Sequence, residues 1–152
     1  METVHTRVEG VPDEEAQQTR TIRIIGAWCT GISACYLLSF ALLGWWLCLA
    51  FQVVFFCWYA LVYQLTNRSN CRHSGVLLVA GGTGHLTGLS LLFVAPALGF
   101  HFFLILVPIV ALIAIHREDR GWLVAFTVIA IATLGFIEFT RDTFVPLYVV
   151  SV

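Results

Sequence analysis

The sequence predicts an all-α integral membrane fold, a bundle of about five transmembrane helices joined as two tight hairpins plus one. Three observations predict it. Hydrophobic residues make up 59% of the 152-residue chain and charged residues only 11%, whereas a soluble domain carries about a quarter charged residues. The apolar residues gather in three blocks, Ile22 to Leu65, Val76 to Ile115 and Trp122 to Phe139. About 20 apolar residues cross the hydrocarbon, so the first two blocks, of roughly 40 residues, read as hairpins of two helices. The chain has eight arginines and no lysine, and the arginines fall only between these blocks or at their edges.

Residues 1–20 form a polar arm that carries five acids. Neither this acidity nor the long apolar run behind it suits a secretory signal. Pro12-Asp13-Glu14-Glu15 reads as a helix start, with proline and acids near the positive end of the helix dipole. The arm is expected to run into the first span, Ile22 to Leu43, as one helix. Gly44-Trp45-Trp46 makes a tight turn, and its indole rings suit a membrane interface. The second span is Leu47 to Leu65. A polar loop from Thr66 to Gly75 follows, and its Asn67-Arg68-Ser69 matches a glycosylation sequon only by accident if the loop is cytoplasmic. The third span is Val76 to Ala95. Pro96 and Gly99 break the next apolar block and form the second hairpin turn. The fourth span, Phe100 to Ile115, contains Pro108 as a candidate kink. The loop from His116 to Gly121 leads into the fifth span, Trp122 to Phe139. The transmembrane domain is thus placed at residues 21–143, with a short apolar tail at 144–152.

With five crossings, Arg7, Arg20, Arg23, Arg68, Arg72, Arg117 and Arg120 lie on one side and Arg141 alone on the other. The excess of arginine marks the cytoplasmic side. The expectation is a multi-pass protein of a cell (inner) membrane with a cytoplasmic N-terminus. Net charge of −1 implies no nucleic-acid partner. The five cysteines have no CxxC spacing, and four lie inside apolar blocks, so a zinc site or a redox pair is not indicated.

The polar residues within the spans are the candidate site. At about 1.5 Å per residue, His85 sits near mid-membrane, His101 opens the fourth span, and Glu138 lies roughly 24 Å up the fifth. Gln52 lies about 10 Å below the outer turn, and Tyr36 and Ser39 lie in the outer half of the first span. Polar groups facing lipid are costly, so these residues should turn inward. They are read as an outward-facing ligand pocket made of Tyr36, Gln52, His85, His101 and Glu138. The competing reading is interhelical hydrogen bonding, with Glu138 pairing to Arg141. A bis-histidine haem is disfavoured, because His85 and His101 differ by about 15 Å along the membrane normal. No cofactor is expected. On the third span Ala80, Gly84 and Gly88 form a small-xxx-small stripe, thinned further by Gly81 and Gly82. Such a stripe lets a neighbouring helix approach, within the bundle or in a homodimer, or leaves room for a ligand beside His85. The chain has no HExxH, paired-carboxylate or Gly-x-Ser-x-Gly motif, and no enzymatic activity is expected.

A run of short motifs carries a family resemblance. It begins with Leu65-Thr66-Asn67-Arg68 and Arg72-His73-Ser74-Gly75, then the mid-helix His85. Gly99-Phe100-His101-Phe102-Phe103-Leu104 and Pro108 follow, then the Arg117 to Arg120 loop, Glu138 and Pro146. From Ile22 to Pro146 the chain resembles the multi-helix membrane sensor modules ahead of bacterial adenylate cyclases, diguanylate cyclases and histidine kinases. The resemblance implies signal reception at the outer face, with His85, His101 and Glu138 as contacts. Such modules usually have six helices and a cytoplasmic effector domain; the sixth helix and the effector are the parts of the pattern not expected in this sequence. The expected function is a non-enzymatic sensor or ligand-binding module. The alternatives are a small structural subunit of a larger membrane complex, or a redox protein binding haem or quinone. The lipid bilayer, a small molecule from the outer side, and a homodimer or larger complex are the expected partners.

Overall fold

A computed structural model describes residues 14–68, 72–93 and 100–140. These residues are helical and contain no strand. Helix α1 is Glu14–Leu42, α2 Trp46–Arg68 and α3 Arg72–Gly88, which runs on into a π-helical turn, Leu89–Phe93. A 3-10 segment, Phe100–Ile105, leads into α4, Leu106–Ala114. A short 3-10 turn, Arg117–Asp119, precedes α5, Arg120–Phe139. Four helices are long and apolar enough to cross a membrane, and the fourth apolar helix, His101–Ala114, is shorter. The Pro96–Gly99 turn, Arg141, Cys71 and the tail from 144 to 152 lie outside the described residues.

The helix limits have local causes. α1 begins at Glu14 and continues through the first span to Leu42 without a break, so the end of the polar arm and the first span are one helix. At 29 residues it is about 43 Å long. It ends in a glycine cap: Gly44 has φ +71°, the left-handed conformation that costs glycine least. The N–H of Trp45 donates to the Phe40 carbonyl at 2.9 Å and that of Gly44 to Ala41 at 3.2 Å. These paired bonds are the Schellman pattern. Its apolar clasp is the Trp45 ring stacked on Phe40, centroids 5.9 Å apart. Pro108 does not kink the interior of a helix. It is the third residue of α4, in the first turn where its missing N–H has no partner to lose. The residues before it wind as a 3-10 helix instead.

The molecule is inverted relative to a water-soluble protein. Trp28, Leu42, Trp46, Leu112, Ile131 and Phe139 are exposed, while Ser33, Gln52, Thr66, Ser74, Thr83, Ser90, His85 and His101 are buried. A helix with apolar residues on its exposed face suits lipid. α5 shows the pattern, burying Phe126, Ala130 and Ile137 on one stripe and exposing Val124, Val128 and Ile131. Hydroxyl groups largely satisfy themselves. Thr30, Ser39, Thr66 and Thr83 each donate to the carbonyl four residues back, the partner that remains where no water is available.

We call the end of the bundle with the Gly44 turn distal and the opposite end proximal. At the proximal end the Ala114 carbonyl closes α4 and serves as a junction. The Gln18 amide of α1 donates to it at 3.1 Å, and Gly75 of α3 lies so close that an added Cβ would overlap it. α1, α3 and α4 therefore meet at one carbonyl. Gly75→Ala should destabilise the protein by about 1–3 kcal/mol, read as a lower thermal midpoint in detergent. Gly82→Ala, whose Cβ would enter open space, should leave the midpoint near wild type. Equal midpoints for the two variants would refute the close approach.

Candidate functional site

The seam between α2 and α3 positions the deepest polar group. An added Cβ on Gly81 would strike Trp58, one on Gly88 would strike Phe51, and one on Gly84 would touch Phe55. Three rings of α2 therefore rest over three glycines of the antiparallel α3, spaced by three or four residues on each helix. This is the small-residue packing that lets membrane helices approach. At Gly81 it has a further result. The bare helix surface lets the Trp58 indole N–H reach the Leu77 carbonyl at 2.9 Å. Of the stripe expected from the sequence, Gly84 and Gly88 belong to this seam, and Ala80 packs partly buried against the main apolar core. The space the glycines leave is occupied by rings of α2.

His85 is clasped by this seam. Its Nε2 lies 2.9 Å from Gln52 Oε1 and its Nδ1 3.2 Å from the Tyr59 hydroxyl. Gln52 and Tyr59 are seven residues apart, two turns along one face of α2, so the imidazole bridges them. Phe55, one turn from each, stacks flat on the ring with centroids 4.5 Å apart and planes 9° apart. Gln52 is 0% exposed, Tyr59 4% and His85 8%. Both ring nitrogens of His85 are engaged, so as placed neither is free to ligate a metal. Tyr59 is the member that the sequence reading missed. Its heptad spacing from Gln52 was the available signal.

His101 and Glu138 form a second, separate pair. His101 Nε2 lies 2.6 Å from Glu138 Oε1, joining the 3-10 segment to the last turn of α5. The separation is a short hydrogen-bond distance. The imidazole is buried, with its side chain 3% exposed, whereas the carboxylate keeps 38%. The ring also meets Phe102, with centroids 4.3 Å apart. Glu138 thus carries a buried imidazole to the boundary of the bundle at its distal end.

Tyr36 is not brought to either pair. It stacks on Phe40 along its own helix, centroids 5.8 Å apart. With Trp28, Gly31, Cys35 and Ser39 it lines a shallow apolar groove on α1. The five residues expected to form one pocket are therefore distributed as a Gln52–His85 network, a His101–Glu138 pair and an isolated Tyr36. No cluster of three or more His, Cys, Asp or Glu able to hold a metal occurs among the described residues.

No known protein family matches this sequence, and neither the curated proteins nor the solved structures contain a significant match to it. The site's chemistry therefore rests on its own geometry. In a double-mutant cycle, His101→Phe and Glu138→Met should couple by about 1 kcal/mol in detergent unfolding. His101→Phe combined with Tyr36→Phe should be additive. Additivity in the first cycle would remove the pair as an interacting unit.

Proposed function

We propose that the chain is a membrane sensor or ligand-binding module that crosses the bilayer five times from a cytoplasmic N-terminus. It receives a small ligand in the outer half of the bundle. The observation that carries this reading is the His101–Glu138 pair, a buried imidazole bonded to a half-exposed carboxylate at the distal end. Polar and ionisable groups within a membrane are expensive and tend to mark ligand or ion sites. The distribution of seven arginines against one supports the orientation, with the distal end outside. The short fourth element supports a fifth crossing. Its six 3-10 and nine α-helical residues rise about 2.0 and 1.5 Å each. They reach about 25 Å, close to the ~30 Å hydrocarbon core.

The fold supplies a route for a signal. A ligand shifts a bundle only if it binds two arrangements unequally. The 3-10 segment that carries His101 offers two arrangements. Rewinding its six residues as α-helix would shorten it by about 3 Å. α4 continues directly from this segment, and its terminal carbonyl is held by Gln18 at the root of α1. A movement at His101 would thus reach the cytoplasmic arm through one helix and one hydrogen bond. This is the behaviour expected of the bacterial sensor modules that the sequence resembles.

A second reading is a structural subunit of a larger membrane complex or a homodimer. The observation favouring it is the apolar groove on α1, where Ala27, Gly31, Cys35 and Ser39 recur every fourth residue on an exposed face. A partner that stays stoichiometric through mild detergent extraction would support that reading over an autonomous receptor.

Mass spectrometry of protein purified from its native membrane would identify a retained small molecule. His101→Ala and Glu138→Gln should each release it while the helical circular dichroism is unchanged. Retention by both variants would dismiss the distal site. In a cysteine-free background, an impermeant maleimide should label Ser151→Cys in intact cells and spare Thr3→Cys. Equal labelling would refute the five-crossing topology.

A further inference from the structure

The Gln52–His85–Tyr59 network has more donors than it uses. Neutral imidazole carries one N–H, the tyrosine one O–H and the glutamine amide two N–H groups. The two hydrogen bonds, Gln52–His85 and Tyr59–His85, use two of these four hydrogens. The count does not depend on the tautomer. If Tyr59 donates to Nδ1 and Nε2–H donates to Gln52 Oε1, both amide hydrogens of Gln52 are left over. If the amide is turned over and the imidazole carries its proton on Nδ1, one amide hydrogen and the Tyr59 O–H are left over. The protein has the first arrangement: Gln52 Nε2 is fully buried and has no partner.

Ser74, Thr87, Ser90 and Thr127 also have buried hydroxyls without partners. Thr87 and Thr127, well inside their helices, can turn onto the carbonyl four residues back, as Thr66 and Thr83 do here. The Gln52 amide has its oxygen held by His85 and has no such recourse. A buried, unpaired N–H group costs about 1–3 kcal/mol and calls for a partner.

We infer that Gln52 Nε2 is the anchor of a binding site for one neutral hydrogen-bond-accepting oxygen. The class follows from the surroundings. The unpaired group is a donor, so its partner must be an acceptor, and one oxygen accepts one of the two diverging amide hydrogens. The described arginines lie near helix ends, and no cation sits in the network to balance an anion. Cys48, one turn from Gln52 on the same face of α2, packs with Leu89 and Phe93 in a buried apolar cluster. The occupant is therefore either a water molecule or the carbonyl oxygen of an otherwise apolar molecule. The carbonyl case rests on the ligand-binding reading above and extends it to the buried network. The water case does not depend on that reading.

Infrared spectroscopy of the purified full-length protein in detergent distinguishes the sources. 1,4-Naphthoquinone serves as the carbonyl probe, and H2(18)O exchange reports bound water. If the carbonyl compound is the occupant, its C=O stretch shifts down on binding to wild type. The shift disappears and affinity falls about tenfold in Gln52→Met, while Gly82→Ala, whose Cβ enters open space, keeps both. If water is the occupant, wild type without probe shows a sharp O–H band that moves on isotope exchange and is missing in Gln52→Met. Either result supports the inference. Wild type showing neither a shifted carbonyl nor an isotope-sensitive water band overturns it, and that outcome requires no variant to fold. Release of a native ligand by His101→Ala alongside this negative result would leave the distal site standing and remove only the Gln52 anchor.

Discussion

Polar groups buried in the bundle depend on partners within the protein, and the α2–α3 seam is where His85 finds both of its partners. Glycines at 81, 84 and 88 let Trp58, Phe55 and Phe51 lie directly against α3. That close approach brings His85 between Gln52 and Tyr59. Larger residues on α3 would move the helices apart and leave an imidazole, an amide and a phenol without partners together. The apolar packing and the polar network are thus one structural unit. The aromatic rings exclude space around His85, and the hydrogen bonds fix which turn of α2 faces which turn of α3.

The two ends of the molecule are built differently. The proximal end is tied by ordinary α-helices meeting at the Ala114 carbonyl. The distal end is irregular, with α3 leaving as a π-helical turn and α4 entering through a 3-10 segment. Non-α backbone of this kind is tolerated in membrane proteins where it is buried in protein or lines a cavity. π turns are frequently found at functional sites. Pro108 lies in the first turn of α4, directly after the 3-10 segment, where a proline costs the helix least.

The polar residues also divide by exposure. The Gln52–His85–Tyr59 network is enclosed, with each member under 9% exposed. The His101–Glu138 pair spans from enclosed to open. The carboxylate of Glu138 is thus the accessible member of the pair, while the imidazole of His101 and that of His85 are both enclosed.

Composition and periodicity were enough to read a helical membrane bundle, the limits of its helices to within a few residues, the Gly44 turn and the continuity of the arm with the first helix. Each of these is local: hydropathy sets where a helix can lie, and a glycine or proline sets where it ends. Depth, counted in residues from each turn, also placed Gln52, His85, His101 and Glu138 within the spans. What depth leaves open is the rotation of each helix about its axis. That rotation separated one expected pocket into two networks and left Tyr36 on the outside of α1. It also recruited Tyr59, whose one signal in the sequence is its heptad spacing from Gln52, together with Trp58, Gly75 and Gln18. Rotation is decided by which side chains interdigitate across a seam, here three rings against three glycines. A one-dimensional pattern supplies the faces of each helix, and only packing in three dimensions chooses which faces meet.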